Sequence, residues 1–212
     1  MRYLLLMLML VTFSHGSFAQ KLAHKPRKSP RELTNYMTED STYIKVTYGS
    51  PKMRNDYDKK FGVSIPFGKI WRMGDDDATE ITITKDILFG GQLLPAGTYS
   101  IFGIPGEEQW TIILNKGVGM WGTFTYKASQ DVFRIEVPTL KSPYIFQEFS
   151  IFLQEADYGC NFVMIWNRMS FMIPIRTGEA MKTFLEEKSK EKEAIITIPE
   201  DVDLEVLPQE KE

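Results

Sequence analysis

The chain reads as all-β, an antiparallel β-sandwich of jelly-roll-like character with a short C-terminal helix. Apolar and polar residues alternate with period two in short segments, and these recur about every ten residues with Gly and Pro between them. No helical period separates them, so the crossover helices of a parallel sheet have no source.

In order along the chain, Tyr43–Tyr48 places Ile44, Val46 and Tyr48 on one face and ends at Gly49-Ser50-Pro51. The charged stretch Lys52–Lys60 reads as a loop, and Phe61-Gly62 and Phe67-Gly68 punctuate the approach to Lys69-Ile70-Trp71-Arg72. Ala78–Thr84 sets Ile81 and Ile83 against Glu80, Thr82 and Thr84. Gly90-Gly91 supplies the positive φ of a tight reversal. Pro95-Ala96-Gly97 precedes the strand Thr98–Phe102, which Pro105-Gly106 turns into Trp110–Leu114. Val132–Val137, Glu148–Leu153, Asn161–Trp166 and Met169–Ile175 complete the set, with Asn167-Arg168 expected to join the last two as a hairpin. Beyond Pro174, Thr177 caps a helix whose first turn carries Glu179 at the positive end of the dipole. Met181, Phe184 and Leu185 form its docking stripe, while Glu186–Glu193 is charged on every side. Ala194–Pro199 has the pattern of an added edge strand, and Glu200–Glu212 that of a loose acidic end.

The N-terminus has the order of a secretory signal: Arg2, an apolar run from Tyr3 to Phe13, then Ser17-Phe18-Ala19 as a small-x-small cleavage site. A membrane span needs roughly 20 apolar residues, more than this run provides. The expected organisation is a signal peptide at 1–19, a flexible lead-in at 20–35, a sandwich domain at 36–176, a helix at 177–193 and an acidic tail at 194–212. The mature protein is expected in the periplasm or outside the cell, with no transmembrane segment once the signal is removed.

Composition excludes more than it assigns. The 25 Lys plus Arg and 28 Asp plus Glu give a net charge of −3, and loss of Arg2 with the signal makes it −4, so nucleic acid is not an expected partner. Cys160 stands alone, which rules out an intrachain disulfide. His24, in the basic lead-in, is the one histidine beyond the signal. Catalysis by a Ser-His-Asp or Cys-His set needs a rigidly held imidazole, and zinc or copper sites draw on several His or Cys, so neither is expected. Met164, Met169 and Met172 then read as core filling rather than copper ligands, and no cofactor is expected.

Two segments combine aromatic with polar residues. In the first, Trp71 and Arg72 precede Asp75-Asp76-Asp77 and Glu80. They form either a binding rim, with Trp71 as a flat face for a sugar, or a solvated turn in which the aspartates cap amides, Arg72 pairs with one of them and Trp71 is core; the turn carries more weight. Calcium could use three adjacent carboxylates, but Glu80 stands where an EF-hand loop needs Gly. Hydrolysis by two carboxylates held about 5–9.5 Å apart would need a distant partner such as Glu107 or Asp131. In the second segment Asn115, Lys116, Trp121, Gly122 and Tyr126 lie on a long loop, read either as a site or as a connection that buries Trp121 as a lid.

The ordered series Lys69–Gly74, Ala78–Ile81, Leu94–Phe102, Ile104–Glu107, Trp110-Thr111, Asn115-Lys116 and Trp121-Gly122 resembles the family catalogued as domain of unknown function 2911 over roughly residues 36–176. The resemblance implies an exported protein and names no activity. Where that family usually shows Ala-Asn-Glu before Ala-Thr, this chain has Asp75-Asp76-Asp77. The expected function is a non-catalytic exported module that binds a carbohydrate or other envelope component through Trp71, Arg72 and the adjacent acids. The alternatives are a carboxylate-dependent hydrolase, or an envelope interaction protein using an exposed sheet edge or the C-terminal tail.

Overall fold

The alternating segments become two antiparallel sheets in the computed structural model, which describes residues 26–54 and 60–196. The expected signal, the first part of the lead-in and the tail from residue 197 lie outside the described residues. The strands are β1 (Arg31–Met37), β2 (Tyr43–Gly49), β3 (Thr79–Ile83), β4 (Ile87–Phe89), β5 (Gln92–Leu94), β6 (Gly97–Ile104), β7 (Gln109–Asn115), β8 (Asp131–Pro138), β9 (Leu140–Ala156) and β10 (Gly159–Arg176), followed by helix α1 (Gly178–Ile196). One sheet has the order β1-β2-β3-β6-β7-β8 and the other β5-β4-β10-β9. The all-β sandwich expected from the sequence is therefore present.

The core fills the space between the sheets. Ile44 and Val46 of β2, Ile81 and Ile83 of β3, Ile101 of β6, Trp110, Ile112 and Leu114 of β7 meet Phe149 and Ile151 of β9 and Phe162, Met164, Phe171 and Ile173 of β10. The β4–β5 reversal is the two-residue loop expected, with Gly90 at φ 58° and Gly91 at φ 83°. A Cβ on Gly90 would sit 2.4 Å from Ile135 Cδ1, so this turn also needs glycine for room.

Three expectations about element boundaries need correction. Asn167-Arg168 is not a hairpin: β10 runs unbroken through it, and the register against β9 shifts on both sides of Asn167, whose φ is 54°. Phe162, Met164 and Trp166 face inward before this point, and Phe171, Ile173 and Ile175 after it. A bulge thus reverses the phase of the alternation, and in the sequence that reversal mimics a strand break. The turn between β9 and β10 is Asp157-Tyr158, ahead of Gly159 at φ 133°. Second, the lead-in is ordered earlier than expected, because β1 starts at Arg31 and Ser29 is buried. Third, residues 194–196 continue α1 rather than start a strand.

Helix α1 opens with the Met181 N–H donating to Thr177 O (3.2 Å), as expected of a capping Thr177. Its docking stripe is narrower than expected. The Arg176 guanidinium lies between two rings, 4.6 Å from the centroid of Phe184 and 5.0 Å from that of Tyr158, whereas Leu185 is exposed. Among the described residues no helix is long and apolar enough to cross a membrane.

Candidate functional site

Trp71 enters from a loop and is tied to β6 by a pair of backbone hydrogen bonds with Gly103 (2.7 and 2.9 Å). That ladder aims the indole between the sheets, where it stacks on Trp166 and meets Trp110, Phe61 and Phe149 edge-on. At 7% exposure it offers no face to a ligand.

The turn that follows is closed by Thr79, whose N–H donates to Arg72 O (3.0 Å) and whose hydroxyl donates to Met73 O. Met73 at φ 56° and Asp76 at φ 62° take the left-handed conformation that non-glycine residues rarely adopt. Each aspartate has its own partners. Asp75 pairs with Arg72 and accepts the Ser29 hydroxyl (2.9 Å). Asp76, buried, accepts the backbone N–H groups of Lys28 (2.7 Å) and Ser29 (3.0 Å). Asp77 pairs with Arg27 and Arg31. Burial alone would raise the Asp75 carboxyl, but the Asp76 amide, the Ser29 hydroxyl and Arg72 outweigh it and hold it below the ordinary value. Asp77 is likewise lowered, with burial outweighed by Arg31 and Arg27. Asp75 and Asp76 thus both reach Ser29, through its hydroxyl and its N–H, while Asp77 turns to the two arginines. Among the described residues no three His, Cys, Asp or Glu side chains gather as metal ligands.

The second segment lies over the outer face of the six-stranded sheet, covering a small second core of Ala78, Phe102, Ile113 and Met120. Asn115 is buried; its Nδ2 donates to Lys127 O (3.0 Å) and Asp131 Oδ1 (2.7 Å), and its Oδ1 accepts the Gly117 N–H (2.9 Å). Tyr126 donates to Asp131 Oδ2 (2.8 Å) and accepts from Arg134 (2.9 Å). Burial and then the Asp131 carboxylate raise its phenol above the ordinary value. Lys116 is exposed, and its backbone N–H donates to Gln130 O (2.9 Å). Trp121 is half-buried, and Phe124 is 86% exposed.

The two segments meet. Asp77 and Trp121 form an antiparallel bridge, the Ala78 N–H donates to Met120 O (2.8 Å), and the Gly122 N–H to Asp76 O (2.9 Å). Beside this junction lies a cleft of about 260 Å³ walled by Arg31, Thr47, Asp77, Glu80 and Gly119, with Glu80 accepting the Gly119 N–H (2.6 Å). The register Thr47↔Glu80, Glu80↔Ser100 and Ser100↔Asn115 carries a polar row from the cleft across the sheet. Within it Ser100 Oγ is buried with no hydrogen-bond partner among the described residues. Of the expected residues, Asp77 lines the cleft and Trp121 is bridged to it; Asp75 and Asp76 hold Ser29 beside it, Asn115 and Tyr126 bond to Asp131, and Trp71 is core. Sequence reasoning read Arg27, Ser29 and Arg31 alike as part of a flexible lead-in. The charge of Arg27 and Arg31, opposite to that of the aspartates, was the available signal, but about 46–50 residues separate the partners.

A larger cleft of about 510 Å³ lies where β1, the β9–β10 turn and the start of α1 meet, lined by Tyr36, Asp40, Glu155 and Tyr158 among others. Cys160, buried close by in sequence, has its thiol pushed up to about 12 by burial, so it is inert at neutral pH.

The family described as protein of unknown function (DUF2911) matches residues 29–175. No curated protein and no solved structure matches the chain.

Proposed function

The chain belongs to the DUF2911 family of proteins of unknown function, and from that premise we propose that it is an exported, non-catalytic binding module for a small polar envelope ligand, a carbohydrate or a fragment bearing both charges. The ligand sits in the cleft between Asp77–Glu80 and Gly119–Trp121. The observation that carries this reading is the junction itself, since two polar–aromatic segments far apart in sequence converge on one concavity. Arg31 and Glu80 offer a cation and an anion in it, Thr47 a hydroxyl, and Tyr48 part of an apolar wall, while Trp121, bridged through its backbone to Asp77, is the neighbouring ring. At about 260 Å³ the cleft falls just below the common range of about 300–1,000 Å³, which suits one ring better than a chain of them.

Acid–base hydrolysis lacks support on its acid side. Asp75 and Asp77 are held ionised by lowered pKa values, whereas a general acid must carry its proton near neutral pH. Asp131 is tied to Asn115, Tyr126 and Arg134, and Glu107 is exposed on the β6–β7 turn. Export rests on the charged, apolar and small-x-small order of the N-terminal sequence.

The test is an amide NMR titration with soluble muropeptides and with neutral mono- and disaccharides. Shifts centred on Arg31, Thr47, Glu80 and Gly119 are expected, and Glu80→Gln should weaken binding about tenfold, as loss of a charge-assisted hydrogen bond does. Shifts confined to the Tyr158–Glu179 cleft, or none at millimolar probe, would refute the assignment. Time-dependent cleavage of a probe would transfer it to the hydrolase class.

A further inference from the structure

β1 has the most exposed side chains of its sheet, although it also touches β9 across the sandwich. It lies at the edge, bonded to β2 alone. Only Thr34 and Tyr36 are half-buried, and its other side chains are exposed, Leu33 at 53% and Met37 at 57%. None of its residues belongs to the buried core, against which only Tyr36 packs. A strand without an apolar face contributes little to cooperative stability, so its attachment depends on its ladder and its ends.

The start of the strand is held by the three aspartates. Asp76 takes the N–H groups of Lys28 and Ser29, Asp75 takes the Ser29 hydroxyl, and Asp77 takes Arg27 and Arg31. The turn that bears them belongs to the rigid body: Trp71 is in the core, Thr79 closes the loop, and the Asp75 N–H donates to Gly49 O (3.2 Å) at the end of β2. Its left-handed Met73 and Asp76 are the kind of conformation that persists only where the surroundings fix it. A soft segment is therefore fastened to a hard one through acceptors concentrated on a few consecutive residues. Arg31 on the soft segment and Asp77 on the hard one form adjoining walls of the cleft.

We infer that Arg27–Met37 is a detachable strap latched by Asp75–Asp77, which undocks while the sandwich stays folded, opening the cleft and baring the edge of β2. A ligand touching both Arg31 and Glu80 would bind the docked form and hold the strap closed. The undocking itself holds whatever the cleft binds, so its test needs no ligand.

The experiment is hydrogen–deuterium exchange by mass spectrometry on the full chain, comparing wild type with Asp76→Gly, Asp76→Asn and Arg27→Ala. Glycine accepts the left-handed φ without strain and deletes only the acceptor, whereas asparagine keeps both. In wild type, amides of residues 31–37 should exchange faster than those of β6, β7 and β10. Asp76→Gly should speed residues 28–37 by about a further tenfold, the effect of stranding two amide donors, with the core strands unchanged. Arg27→Ala should give a smaller rise in the same amides, and Asp76→Asn should restore the wild-type pattern. Exchange of β1 in step with the core, indifference of its amides to Asp76→Gly and Arg27→Ala, or global unfolding of Asp76→Gly would each overturn the inference, since a detachable strap cannot carry the stability of the whole.

Discussion

Trp71–Asp77 and Asn115–Tyr126 share a composition, aromatic rings beside charged and amide groups, and have opposite fates. In the first the ring is spent on the core and the acids on the N-terminal strap. In the second the amide and phenol are spent on Asp131 and its neighbours, and the ring of Phe124 is left in solvent. The difference comes from the side of the sheet each segment reaches. Trp71 passes between two sheets, where apolar surface surrounds an indole on every side. Residues 116–126 lie as a single layer on the outer face, where one side of any ring must meet water. Composition thus announces a polar–aromatic segment, and topology decides which half of it remains exposed.

The contrast is sharpest in the tryptophans. Trp71→Ala should cost about 3–5 kcal/mol, the range for emptying a buried aromatic site, read as a fall in the urea midpoint. Trp121→Ala, at a half-buried position, should cost less than about 2 kcal/mol, in line with partial burial of an aromatic side chain. Equal losses would erase the distinction between the two segments.

Glycines give the next test. A Cβ on Gly49 would stand 1.9 Å from Asp75 O, a backbone atom that cannot swing aside, so Gly49→Ala should cost about 1–3 kcal/mol and detach the aspartate turn. Gly119 has nothing within 4 Å of such a Cβ but sits at φ 68°, so Gly119→Ala should meet only the conformational penalty of about 1–2 kcal/mol. A milder effect at Gly49 than at Gly119 would mean that the turn yields more easily than the bonds of Thr79 imply.

Acid should act on the first segment. Asp75 and Asp77 have folded pKa values below the ordinary 3.8, so their contribution is present in full above that value and is lost as pH falls through the folded values. NMR amide signals of residues 28–37 should broaden or move below about pH 4, before those of the core. An Asp75→Asn, Asp77→Asn double variant should lose that dependence; an unchanged acid profile would show that the strap is not held by these charges.

Most of the sandwich was legible because period two is a local property, visible in Ile44-Val46-Tyr48 or Ile81-Ile83 without knowing the partners. β10 was misread because a bulge at Asn167 is itself a break in period. β1 was missed because an edge strand with exposed side chains carries no alternation to see. In the two polar–aromatic segments the sequence held, for Trp71 and Arg72, the local alternative that the structure shows, core and ion pair. It could not supply Arg27, Ser29 and Arg31 as partners, because pairing across about 46–50 residues is fixed by the register of β1 on β2.

The smallest expected effect falls on the most exposed ring among the described residues. Phe124→Ser removes a side chain that is 86% exposed and so gives up little buried area. Stability should stay within about 0.5 kcal/mol of wild type, as for surface substitutions generally. Its ring lies beside Gly122, whose N–H donates to Asp76 O, a backbone bond that the substitution leaves in place. If solvent-facing aromatics here serve binding, Phe124→Ser weakens saccharide binding while the urea midpoint holds. A midpoint that falls with binding unchanged would make Phe124 a structural residue, and would leave Trp121 as the cleft's neighbouring ring.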